Sequence, residues 1–291
     1  TGCGMNRLAV QIPERFFDVG IEEEHAVTFS AGLAAGGMRP FCNIYSAFSQ
    51  RAYDQIIHDV ALQKLPVVLC FDRAGLVGED GATHHGVLDV SAYRAVPNAV
   101  VTSPKDELEL RNLMYTALNY PGGPFIIRYP RGCGEGTPWK GEEFEEIPFA
   151  KAELVKEGKA FPDGKNYAVV CFGPVTNEAV KAFEGQSEYI PYIYNVRFVK
   201  PIDEEMLEFI AHNCAGVLTV EDGSIKGGLF GAVTEYMASH NHTNNTVDGI
   251  KVNGIGIPDR FIAQDTQKAQ RHECSIDSEG IFNEMIKLFQ K

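Results

Sequence analysis

The chain has 291 residues, a mass of 32.0 kDa, 44% hydrophobic residues and a net charge of -13. The apolar share is too high for a disordered chain and the length makes two domains the default. The acidic balance argues against nucleic acid or an anionic membrane as the main partner, no apolar run reaches the ~18 residues of a membrane span, and no secretory signal is recognisable.

In chain order, the first part alternates short apolar runs with helical patterns. FCNIY (41–45), PVVLCF (66–71), AVVTS (99–103) and FIIRY (125–129) read as buried strands. The spacing predicts helices over 22–36, 48–63 and 105–119, the last opened by Pro104 and Asp106. Residues 132–165 are rich in Gly, Glu, Lys and Pro and read as a linker (around 133–165) running into a second domain. That second part repeats the logic. YAVVCFG (167–173), YIYNVRF (192–198), GVLTVED (216–222) and the late KVNGIGIPD read as strands, with helices over 177–184, 204–212, 228–239 and 279–290 and Asp203 as an N-cap. The expected fold is therefore two α/β domains, 1–145 and 146–291. The first sheet should be parallel and the second parallel or mixed, each flanked by helices.

Seven scattered cysteines, odd in number and never spaced as CxxC, read as buried reduced thiols of a cytoplasmic protein. The histidines show no helical ligand spacing: His84 and His85 are adjacent, and His240 and His242 fall in a polar SHNHTNN loop. No metal site is expected in this chain.

In an open α/β sheet, ligands bind beyond the carboxyl ends of the strands, so the segments there carry the candidates. The first is Glu22-Glu23-Glu24-His25. Acids in a first helical turn complement the macrodipole whatever else they do, yet Glu23 alone shares a stripe with Ala26, Val27, Ser30, Ala31 and Ala34, where close packing would desolvate its carboxyl. The second is Tyr45, Phe48 and Arg51. Its aromatics are either core residues or a platform for a flat heterocycle. The third is the glycine-rich loop DRAGLVGEDGATHHG (72–86), in which Asp80 and His84 are candidates for acid–base work and Arg73 for an anion. The fourth is RYPRG (128–132), either surface arginine beside a linker or, with Arg73, a pair of guanidinium forks for a phosphate or carboxylate.

At these residues the sequence closely resembles the 1-deoxy-D-xylulose-5-phosphate synthases, thiamine-diphosphate enzymes of the transketolase superfamily. The matching strings are FFDVGIEEEHAVTFSAGLAAGG, IYSAFSQRAYDQIIHDVALQKLPVV, DRAGLVGEDGATHHGVLDVSAYRAVPN and RYPRG, followed in order by VRFVKPID, VEDGSIKGG and GIPDRFIAQDTQ. The resemblance implies a pyrimidine-binding domain followed by a transketolase C-terminal domain. It also implies carboligation of pyruvate with D-glyceraldehyde 3-phosphate, with loss of carbon dioxide, and a cytoplasmic homodimer. It assigns Glu23 to the aminopyrimidine N1′ and Phe48 to stacking on the pyrimidine. Tyr45, Arg51, Asp80 and His84 fall around the reacting carbons, with His84 moving a proton, and Arg73 and Arg131 on the substrate phosphate.

Two departures accompany it. The family reads Ala-Glu-Gln-His where this chain has Glu22-Glu23-Glu24-His25, and His85 stands where glutamine is common, so His85 receives no role. The larger departure is that Gly-Asp-Gly, which holds magnesium and the cofactor diphosphate in the family's N-terminal domain, does not occur in these 291 residues. The expectation is that Thr1 is a cut edge, that these are the last two of three domains, and that the chain by itself is inactive. A subunit of a split transketolase-like enzyme and a non-catalytic interaction module are the alternatives. Residues 223–239 are a candidate for subunit or domain contacts.

Overall fold

A computed structural model of the protein describes residues 2–240, 242 and 249–290. Thr1 and most of the interior of the SHNHTNN loop lie outside them. A short helix α1 (Asn6–Gln11) precedes α2 (Glu23–Ala35) and strand β1 (Phe41–Tyr45). There follow α3 (Ser46–Ser49), α4 (Tyr53–Gln55), β2 (Val68–Ala74), α5 (Asp89–Arg94), β3 (Val100–Thr102), α6 (Glu107–Asn119) and β4 (Phe125–Pro130). The second half contributes β5 (Glu153–Lys156), β6 (Tyr167–Phe172), α7 (Val175–Ala182), β7 (Tyr192–Asn195), β8 (Phe198–Lys200), α8 (Glu204–Asn213), β9 (Gly216–Ser224), α9 (Leu229–Ser239), β10 (Lys251–Ile257), α10 (Gln267–Glu273) and α11 (Ser278–Gln290). None of the described helices is long and apolar enough to cross a membrane.

Two five-stranded sheets result, ordered β1-β2-β4-β3-β8 and β10-β9-β6-β7-β5. All pairings are parallel except those of the edge strands β8 and β5. The central strands are buried on both faces, as continuous apolar runs require. Along β2, Leu69 and Phe71 face Val27 of α2 and Ile56, while Val68 and Cys70 face Leu113 and Ala117 of α6. Along β6, Ala168, Val170 and Phe172 join that first core, whereas Tyr167, Val169 and Cys171 pack with Ile281 and Met285 of α11. The two sheets therefore share one apolar body, with helices closing the outer faces.

Helix starts follow the side chains that satisfy them. Asp106 accepts from Glu109 N at 2.9 Å, Asp203 from Met206 N at 3.2 Å and Thr266 from Ala269 N at 3.2 Å.

Three expectations are corrected. The run 192–198 is not one strand. Arg197 adopts φ +56°, which ends β7, and its guanidinium is held at 2.7 Å by the buried Glu109. The chain then turns into β8, which pairs antiparallel with β3, so the first sheet is mixed and closed by a strand from the second half. The helix over 48–63 is broken into α3, a 3-10 turn at 50–52, α4 and a π-helical turn at 56–61. Hydroxyls take over carbonyls there: Ser49 Oγ donates to Ser46 O, and Tyr93 OH to Ser49 O, each at 2.7 Å. Finally, five of the cysteines are buried, but Cys133 is exposed and Cys3 only half-buried.

Candidate active site

The eight residues singled out above form one string of contacts at the carboxyl end of the first sheet. Glu23 opens α2 without a side-chain cap, 11% exposed, and pairs with Arg51 at 3.1 Å. Its stripe is buried as expected: Val27, Ser30, Ala31 and Ala34 all face inward. The Arg51 guanidinium lies 4.6 Å from the centre of the Phe48 ring. Phe48 stacks on Tyr45 with centroids 5.7 Å apart and meets His84 edge-on at 5.2 Å. The Arg73 guanidinium lies over the Tyr45 ring, 4.2 Å from its centre, and the Tyr45 hydroxyl donates to Gly2 O at 2.8 Å. Arg73 pairs with Asp80 at 3.2 Å, and Asp80 reaches Arg131 at 3.6 Å.

The string has two chemically distinct ends. At one, a sheltered carboxylate stands beside an aromatic ring, a set that fits a flat, hydrogen-bonding heterocycle. At the other, two guanidinium groups converge on one carboxylate, and Arg131 also pairs with Glu79 at 2.9 Å. Two cations thus face two anions, so an incoming anion competes there with Asp80 and Glu79. Glu79 is held below the usual carboxylate range by its own backbone amide and by Arg131. Burial pushes the Tyr45 hydroxyl up, favouring a neutral phenol. His84 Nδ1 lies 2.8 Å from Thr83 Oγ1, which leaves Nε2 as the ring nitrogen without that constraint.

Three supporting groups were not singled out in the sequence. Arg128 and Asp89 form an ion pair at 2.9 Å with both side chains 2% exposed. Ser46 Oγ donates to the same Asp89 oxygen at 2.9 Å, and Arg128 Nη2 to Asp222 O at 2.9 Å. A charge inside the apolar run FIIRY was the available signal. His85 is buried and accepts from Val77 N at 3.1 Å through Nδ1, and burial lowers its pKa. Gly86 must be glycine, because a Cβ there would lie 2.4 Å from Ser46 Oγ and 2.6 Å from Arg73 O. Of the segment 223–239, Gly227 O accepts from Arg94, and Glu235 pairs with the same guanidinium at 2.6 Å, so within this chain it ties the two halves together.

Among the described residues no group of three or more His, Cys, Asp or Glu is arranged to hold a metal ion.

The family model for the transketolase pyrimidine-binding domain matches residues 1–135, and that for the transketolase C-terminal domain matches residues 156–281. The curated relatives include proteins named 1-deoxy-D-xylulose-5-phosphate synthase. That of Bacteroides thetaiotaomicron is 49% identical over 290 residues, covering 99% of this chain and 43% of its own length. That of Thermomicrobium roseum is 46% identical over 282 residues, covering 96% and 43%. The chain thus spans less than half the length of these relatives. Among solved structures, one described as a split-gene transketolase, an inactive β4 tetramer, is similar with a TM-score of 0.83 at 26% identity, covering 99% of this chain and 89% of that one. A transketolase from Leishmania mexicana shares the fold, with a TM-score of 0.73 at 21% identity, covering 93% of this chain and 37% of that one.

Proposed function

Since the chain belongs to the transketolase family, we propose that it supplies the pyrimidine side of a thiamine-diphosphate site for making 1-deoxy-D-xylulose 5-phosphate from pyruvate and D-glyceraldehyde 3-phosphate, with release of carbon dioxide. The observation that carries this reading is the continuous string from Glu23 to Arg131, with a carboxylate and an aromatic at one end and paired arginines at the other.

The residues present fit the pyrimidine end of the cofactor. Glu23 would meet the ring nitrogen N1′ and Phe48 would carry the ring on its face; once bound, the cofactor supplies the carbanion-stabilising chemistry. Arg51, already paired with Glu23, holds that carboxylate in place. His84 stands between the two ends, edge-on to Phe48, where it would move a proton at the substrate oxygen, while Asp80 belongs to the arginine end. Arg73 and Arg131 would take the aldehyde's phosphate as bidentate forks, in exchange for Asp80. The residues do not fit the magnesium–diphosphate end: these 291 residues contain no Gly-Asp-Gly and, as described, no metal-holding group. We place that half of the site on another domain, so that these residues alone do not turn over. Its source is either the same polypeptide or a separate one. The separate-chain form is favoured by the similarity, over 89% of its length, to a chain from a split-gene transketolase. We expect the assembly to be a cytoplasmic homodimer.

The test is a turnover assay with pyruvate, glyceraldehyde 3-phosphate, thiamine diphosphate and magnesium. The chain is assayed alone and together with a diphosphate-binding domain that carries Gly-Asp-Gly. Turnover only with that domain, and a raised KM for the phosphorylated aldehyde in Arg131→Ala, is the expected result. Full activity of the chain alone, or an unchanged KM in Arg131→Ala, would refute the assignment.

A further inference from the structure

The loop that leaves β2 is held by side chains at each peptide from Leu76 to Gly78. Leu76 N donates to Asp222 Oδ1 at 3.2 Å and Leu76 O accepts from Gln267 Nε2 at 2.8 Å. Val77 N donates to His85 Nδ1 at 3.1 Å and Val77 O accepts from Arg131 Nη1 at 2.7 Å. Gly78 N donates to Gln270 Oε1 and Gly78 O accepts from Gln270 Nε2, both at 3.0 Å. A strand or helix would satisfy these groups with backbone; here every partner is a side chain, and Asp222, Gln267 and Gln270 come from the second half of the chain.

Gln270 is 0% exposed, and its amide nitrogen also donates to Ala263 O at 2.8 Å, so both ends of its side chain are used. Gln267, on the same helix, reaches Arg131 O at 3.3 Å. Helix α10 therefore touches both the loop that leads to Asp80 and the strand end that carries Arg131. The loop needs such a hold. Gly75, Gly78 and Gly81 all have positive φ (+74°, +77° and +68°), and glycine opens many other conformations to the unrestrained chain. Gly75 is further pinned from below, since a Cβ there would lie 2.0 Å from Asp222 Oδ2.

We propose that Gln270, seconded by Gln267, is a positioning residue that sets the loop 76–78, whose Val77 carbonyl holds the Arg131 guanidinium, and thereby places Arg131 to meet the substrate phosphate. This deepens, and rests on, the phosphate role given above to the two arginines. Gln270 is neutral, so its hold does not titrate. It touches no reacting atom, and its loss should be read in binding of the phosphorylated substrate.

The experiment compares the wild-type chain with Gln270→Leu, which keeps the bulk and removes both hydrogen-bonding ends, and with the gentler Gln267→Leu. Hydrogen exchange on the 291-residue chain should accelerate at the Leu76 and Gly78 amides by about tenfold or more, while the β6 amides keep their protection. In the assembly with the Gly-Asp-Gly domain, the KM for glyceraldehyde 3-phosphate should rise about tenfold, with kcat and the KM for pyruvate within about twofold. Gln267→Leu should move the same quantities less, and serves if Gln270→Leu fails to fold. Unchanged exchange overturns the hold on the loop. Accelerated exchange with an unmoved KM, or with kcat lowered and both KM values raised together, makes Gln270 merely structural. If the wild-type assembly shows no carboligation, the proposed reaction fails. The positioning role is then decided by binding of inorganic phosphate to the chain, which Gln270→Leu must weaken by a similar factor.

Discussion

Asp89→Leu should be among the most destabilising single substitutions in this protein. Its carboxylate is 2% exposed and accepts from Arg128 Nε at 2.9 Å, Ser46 Oγ at 2.9 Å and Val90 N at 2.8 Å. Removing it leaves Arg128, also 2% exposed, charged and without its anion. Arg128 keeps the carbonyls of Asp222 at 2.9 Å and Gly86 at 3.4 Å, which solvate it only in part. Breaking one side of such a pair costs about 3–5 kcal/mol. With an unfolding entropy of ~2.1 cal/mol/K per residue, a chain of 291 residues loses roughly 5–8 °C in Tm. Calorimetry and urea unfolding at pH 7 measure both quantities. The double variant Asp89→Leu with Arg128→Met removes the stranded charge as well, and should recover at least about half of the loss. The recovery is incomplete because Arg128 also ties the first sheet to Asp222 in the second. A loss under about 1 kcal/mol in Asp89→Leu, or a double variant as unstable as the sum of the singles, would refute this reasoning.

Glu221 is 1% exposed and accepts from Leu229 N and Phe230 N, each at 2.9 Å; burial nonetheless pushes its pKa from 4.5 up to about 7. A carboxyl raised in the folded state holds more protons there than when unfolded, so stability falls as pH rises from 4.5 to about 7. Relative to Glu221→Gln, the wild type should lose up to about 3 kcal/mol between pH 5 and pH 8, and a difference curve of opposite slope in chemical unfolding would count against it. In the folded chain a maleimide should label Cys133 first. Cys3, half-buried and raised by burial to about 11, should follow slowly, and the five buried thiols only on unfolding; mass spectrometry of early time points checks the order. Glu23→Gln should lower kcat of the assembled enzyme by about 100-fold or more while leaving thermal stability nearly unchanged, and a loss under about tenfold would remove Glu23 from proton work.

Apart from β5, a partly exposed edge strand inside the segment read as a linker, and β8, read as the end of β7, the strands were legible as apolar runs, and the starts of α6 and α8 because Asp106 and Asp203 are short acceptors placed just ahead of a helical pattern. The breaks were not. Nothing local in YIYNVRF ends a strand at Arg197; what ends it is Glu109, 88 residues away, which holds the guanidinium of a residue at positive φ. The helix 48–63 is likewise interrupted where the Tyr93 hydroxyl, 44 residues distant, occupies the Ser49 carbonyl. The same division holds in the candidate site. Charged and aromatic residues at strand ends announce themselves by type, whereas Gln267 and Gln270 read as ordinary polar positions on a short helix. Their meaning appears only when the loop they satisfy is seen opposite them.

That asymmetry bears on how the site is built. The eight candidate residues all come from the first half of the chain, yet the loop that carries Asp80 and His84 has almost no backbone partners between Leu76 and Gly78. Its hydrogen bonds run to Asp222, Gln267 and Gln270 across the shared core. Buried peptide groups without partners are costly, so separating the halves would leave this loop unsatisfied. Arg128 and β8 impose the same dependence, one through Asp222 O and the other by closing the first sheet. The second half therefore contributes no residue to the candidate site and still determines its shape. Conformational change at α10 or β9 should accordingly be felt at Asp80 before it is felt at Glu23, whose helix takes none of those hydrogen bonds from the second half.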